Sequence, residues 1–104
     1  MALKTTEKPT LETQFHSLAD EWKRDCALLS STSAMVAHPA YKAIIKLGPP
    51  AVPLLLRDLE QSSAHWFEAL SAITGQDPVS REDWGNISAM RNAWLNWGRS
   101  QNLL

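Results

Sequence analysis

Apolar residues in this chain recur at intervals of three and four, and no run of four to eight residues alternates apolar with polar in the manner of a half-buried strand. The longest stripe is Leu11, Phe15, Leu18, Trp22, Cys26 and Leu29, which places all six on one side of a helix that Thr10 would cap. Asp20 and Arg24, four apart, fall on its outer side. Residues 1–9 carry no apolar periodicity and end in Pro9, so they predict a loose N-terminal arm ahead of a single domain over 10–104.

Beyond the first helix, the run Ser30 to Ser33 predicts a loop, because its hydroxyls compete for backbone hydrogen bonds. His38-Pro39 opens a short second helix, with Tyr41, Ile44 and Ile45 as its buried face and Gly48 as its stop. Pro49-Pro50 enforces that stop and starts a third helix, with Pro53 tolerated in the first turn. In the third helix Val52, Leu55, Leu56 and Leu59 share a face while Leu54 points elsewhere, as in a helix sandwiched between neighbours. The polar turn Gln61-Ser62-Ser63 leads to a fourth helix bearing Trp66, Phe67, Leu70 and Ile73 and ending at Gly75, so the two form a helical hairpin. Ser80 and Asp83 have the spacing of a capped turn, and Ile87, Met90, Trp94 and Trp97 mark a last helix up to Gly98. The fold expected is all-α, a compact bundle of about five helices in which short connections make successive helices neighbours.

Composition narrows the function classes. The 104 residues include five tryptophans but one tyrosine and two phenylalanines, and Trp supplies both large buried area and an N–H that needs a partner. Ten basic and eleven acidic side chains leave a net charge of −1, without the positive field of a general nucleic-acid binder. The stretch Ala51 to Leu56 falls far short of the ~20 apolar residues that span a bilayer. A lone Cys26 and a polar start without a signal-type apolar run point to the cytoplasm.

The search for chemistry finds little. His16, His38 and His65 are scattered, the single thiol sits on an apolar stripe, and no metal-ligand spacing, phosphate-binding glycine loop or converging carboxylate pair is visible. No catalytic residue, metal or cofactor is therefore expected. His65 and Glu68, three apart, would share the outer face of the fourth helix. The stripe positions of Trp22, Trp66 and Trp94 predict core; Trp84 in a linker and Trp97 at a stripe edge are better placed for contact with another molecule.

The segment Leu47-Gly-Pro-Pro-Ala-Val-Pro-Leu-Leu-Leu56, with Leu59, Trp66, Glu68-Ala-Leu70 and Ile73, resembles a single HEAT-type repeat, and the later Trp94-x-x-Trp97 looks like the closing segment of some bacterial HEAT-like proteins. The resemblance implies a binding scaffold whose second helix lines the recognition side and exposes His65 and Glu68. One repeat cannot bury its own faces, so the terminal helices, or a second copy, must cover them. The function expected is a non-enzymatic protein-interaction module, such as a regulatory or antitoxin-like partner of an enzyme, using His65, Glu68, Trp84 and Trp97. The alternatives are a nucleic-acid-binding accessory protein acting through local lysines and arginines, and, third, an enzyme with a Glu68/His65 site.

Overall fold

The computed structural model describes residues 10–27, 31–62 and 64–104; the expected arm over 1–9, Leu29 at the end of the first stripe, Ser30 and Ser63 lie outside them. The described residues are all-helical and contain no strand. In chain order they form α1 (Leu11–Cys26), α2 (Thr32–Val36), α3 (Pro39–Leu47), α4 (Val52–Ser62), α5 (Phe67–Thr74) and α6 (Ile87–Ser100), with 3-10 turns at Pro49–Ala51 and Arg81–Asp83. None of these helices is long and apolar enough to cross a membrane.

Side-chain caps set several of the boundaries. The Thr10 hydroxyl accepts from the Thr13 N–H at 3.1 Å, and Lys23 and Arg24 in the last turn of α1 complement its dipole. The serine run is more than a loop: Ser31 accepts from the Ala34 N–H at 3.4 Å and begins the extra helix α2. The hydroxyl chemistry that breaks one helix here starts another. α3 opens with Pro39 at its first position and the His38 ring as its cap. α5 starts at Phe67, later than the polar turn implies, because Trp66 is held outside the helix with φ −95° and ψ 6°. It ends where expected, at Gly75 in the left-handed region with φ 70°.

Helices two apart in the chain make the most extensive contacts: α1 packs on α3, α3 on α5, and α4 on α6. This differs from a bundle of sequential neighbours. The Pro49–Ala51 turn separates α3 from α4 and itself packs against α1 and α3, so α1, α3 and α5 form one row and α4 and α6 pair beside it. α4, apolar on more than one side, packs against both α5 and α6: Leu55, Leu56 and Leu59 are fully buried and Leu54 packs at the core's edge.

The centre of the core is aromatic. Trp66 meets Trp22 at 4.5 Å between ring centroids, stacks with Tyr41 at 5.5 Å and leans on Phe15 at 5.8 Å. Each buried polar atom in this cluster has a partner, as burial requires. The Trp22 indole donates to the Met35 carbonyl at 2.8 Å, and the Tyr41 hydroxyl donates to the His65 carbonyl (3.1 Å) while accepting from the Ala69 N–H (2.9 Å). Burial pushes the Tyr41 pKa well above its ordinary value. The Trp66 indole donates to the Asp58 carboxylate at 2.6 Å. That half-buried carboxylate also accepts from Lys23 (2.8 Å) and Ser62 (3.1 Å). Burial opposes its ionisation, but the donors and the Lys23 charge outweigh that and hold its pKa below the usual carboxylate range.

Gly98 corrects a further expectation. It is buried inside α6 rather than at its end, and the helix runs on to Ser100. A Cβ at this position would come within 2.7 Å of Leu56 Cδ1 and 3.3 Å of Leu104 Cδ1, so the glycine marks where α6 and the C-terminal residues close on α4. Past the helix the chain turns back through Asn102, and the Leu103 N–H bonds the Gly98 carbonyl at 2.8 Å.

Gly98→Ala should destabilise the protein by ~1 kcal/mol in urea unfolding, because overpacking against buried Leu56 exceeds the intrinsic helical gain; a stabilised variant would contradict the α4–α6 contact. Asp58→Ala should cost ~2 kcal/mol by leaving the Trp66 N–H buried and unpaired, and Asp58→Asn, which keeps an acceptor, should cost less. Because the Asp58 pKa is depressed on folding, its contribution is complete above the ordinary carboxylate value of about 4 and is lost as pH falls through the depressed value. Melting temperature should therefore fall less steeply for Asp58→Asn than for the parent between about pH 5 and pH 2.

Candidate functional site

The connection from α5 to α6 is built turn by turn. Beyond Gly75, the Thr74 hydroxyl bonds the Leu70 carbonyl (2.7 Å) and accepts from the Gln76 N–H (3.1 Å). Asp77 accepts from the Val79 N–H at 3.2 Å in an Asx-type turn, which drops Val79 into the core as the segment's anchor. The expected turn at Ser80–Asp83 forms through a backbone bond from Asp83 to the Ser80 carbonyl (2.9 Å), without a side-chain cap. Asn86 then caps α6 by accepting from the Ala89 N–H at 3.1 Å.

These turns hold Trp84 in a bend with 58 % of its surface exposed, and Ile87, three residues on, is 44 % exposed. Trp84 borders a groove of about 360 Å³ between α5, this connection and α6. Phe67, Val79, Met90 and Trp94 give the groove its apolar lining; Glu68, Ser71 and Asp77 give it polar groups.

The groove brings together two of the four residues singled out from sequence, Glu68 and Trp84. The other two lie outside its lining. His65 is not on the helix with Glu68: it precedes α5, half-buried, with its ring edge-on to Phe67 at 5.1 Å. Its position follows from Trp66, whose burial outside the helix delays the start of α5. Burial lowers the His65 pKa, and the Glu68 carboxylate works in the opposite sense. Trp97 is half-buried and packs edge-on against Trp94 at 5.4 Å. Sequence reasoning missed Asp77, Val79 and Met90, whose only signal was membership of an irregular linker or of an ordinary apolar stripe.

One metal-capable group was also invisible in the spacing, because 13 residues separate its histidine from the nearer acid. Glu21, Asp25 and His38 bring one ligand atom each within 4.8 Å of one another. The hydrogen bonds argue for a different role. His38 Nδ1 accepts from the Ala40 N–H at 3.0 Å, which leaves the ring proton on Nε2, facing Asp25 at 2.8 Å. A metal at Nε2 would need the other tautomer and would break the cap of α3. The Asp25–His38 pair reads as a clasp between the end of α1 and the start of α3.

Cys26 is buried, and burial followed by the Asp25 charge raises its thiol pKa away from the reactive range. A second cavity, about 280 Å³, lies between Glu12 and His16 of α1 and Arg57, Asp58 and Gln61 of α4. Its Asp58 is already committed to Lys23, Trp66 and Ser62.

Comparison with known proteins adds no assignment: no protein-family model, no curated protein and no solved structure matches the chain.

Proposed function

We propose that the protein is a non-enzymatic protein-interaction module whose docking site is the groove between α5 and α6. The observation that carries this reading is Trp84. A tryptophan more than half exposed, on a bend fixed by successive turns and at the lip of an apolar groove, is a large contact area that the protein's own core leaves unused. Trp is the residue most enriched among interface hot spots, and a pre-formed turn spares the ordering cost of presenting it.

Two further features favour the reading. The HEAT-like resemblance of Leu47 to Ile73 belongs to modules that act as binding scaffolds. Packing of each helix on the one two places along is the arrangement that stacking repeats use, and α3 on α5 and α6 on α4 stand where helices of flanking repeats would. A regulatory or antitoxin-like partner of an enzyme is the specific form of this proposal. Glu68 and Asp77 in the groove disfavour a phosphate backbone there.

Trp84→Ala should leave stability within about 0.5 kcal/mol of the parent, as for an exposed side chain outside the core. In affinity capture from the source cell it should lose a partner that the parent and a Leu104→Ala control both retain. Unchanged capture of every partner by Trp84→Ala would contradict the docking site.

A further inference from the structure

We propose that the groove binds a cationic side chain, arginine or lysine, presented by another polypeptide, with Trp84 as its aromatic wall and Glu68 and Asp77 as counter-charges. This deepens the docking reading and rests on it.

The charges come first. The ion pairs among the described residues join Lys23 to Asp58, His38 to Asp25 and Arg99 to Glu60, and none of them involves Glu68 or Asp77. Asp77 commits one oxygen to the Val79 N–H. The groove's own helix offers a cation in Arg91, next to Met90, but that side chain is turned to α4, where it donates to the Leu59 carbonyl (3.1 Å) and the Glu60 carbonyl (2.6 Å). The connection adds Glu82 and Asp83 against the single Arg81, so the surroundings of the groove carry excess negative charge. An approaching cation is attracted before contact and a phosphate repelled.

The lining then selects the kind of cation. A purely apolar side chain would fill the space beside Phe67, Met90 and Trp94 but would strip water from two carboxylates without replacing it. A guanidinium or ammonium on an aliphatic stem compensates both surfaces: the stem covers the apolar lining and the head meets the carboxylates. Trp is also the aromatic ring that attracts cations most strongly. The volume, about 360 Å³, lies at the low end of ligand pockets, which suits one long side chain rather than a whole helix.

The test uses the folded, 15N-labelled protein and N-acetylated, C-amidated peptides Gly-Ser-Xaa-Ser-Gly, with arginine, lysine, citrulline or norleucine at Xaa. The Trp84 indole signal and the Glu68 and Asp77 amide signals should move with the arginine and lysine peptides. Affinity should be about tenfold weaker for citrulline and norleucine, the neutral analogues, as loss of a charged partner implies. The double variant Glu68→Gln, Asp77→Asn, whose asparagine retains an acceptor for Val79, should bind all four peptides equally weakly. Raising salt from about 0.02 M to about 0.5 M should weaken the arginine peptide several-fold and leave norleucine unchanged.

Equal binding of norleucine and arginine at the same signals would overturn the cation while leaving the docking groove standing. No movement at these signals with any peptide would overturn it too, and the Trp84→Ala capture experiment would still report separately on docking. If the same signals move with protein concentration alone while the sedimenting mass doubles, the occupant is a second copy of this chain, and the assignment to another polypeptide falls.

Discussion

A buried indole must satisfy its N–H, and in this protein that requirement falls on one carboxylate. Trp66 sits fully buried against Phe15, Trp22 and Tyr41, and Asp58 is the acceptor for its nitrogen. Asp58 in turn is kept ionised by Lys23, which comes from α1. A single side chain thus joins α1, α4 and the segment that opens α5, and it does so beside the largest aromatic cluster of the core. Removing it leaves a donor in an apolar environment, which costs more than the bond itself contributes.

The same constraint shapes the surface. Holding Trp66 outside the helix delays α5 to Phe67, which lifts His65 off the helical face and places Glu68 in the first turn. Phe67 and Glu68 then line the groove that the α5–α6 connection completes. α6 closes on α4 at Gly98, and Trp97 packs edge-on against Trp94. α3 packs on α5 and α6 on α4, while the bend carrying Trp84 stays exposed. Core demands therefore account for three of the five tryptophans in full and for Trp97 in part, but not for Trp84.

Much of the fold is legible in the sequence because helical periodicity is a local signal. The stripes through Phe15, Trp22, Leu55, Leu59, Leu70 and Trp94 coincide with buried positions, and Thr10, Pro39 and Gly75 mark boundaries through local chemistry. What periodicity misses is tertiary. The pairing of helices two apart depends on how Pro49–Ala51 redirects the chain, and Gly98 is a stop signal by composition but a close contact in space. The Asp25–His38 pair and the Asp58 network bring together residues distant in the chain, so no spacing rule points to them. Of the groove's lining, Trp84 stands out in the sequence by its place in a linker and Glu68 by its spacing from His65, whereas bringing them together required the course of residues 75–86.

The dependence of the fold on the Trp66–Asp58 bond is tested most directly by hydrogen–deuterium exchange of the indole N–H groups, followed by NMR. The account predicts that the Trp66 and Trp22 indoles exchange slowly and together, near the rate set by global unfolding, while the exposed Trp84 indole exchanges at once. A Trp66 indole that exchanges as fast as that of Trp84 would contradict it.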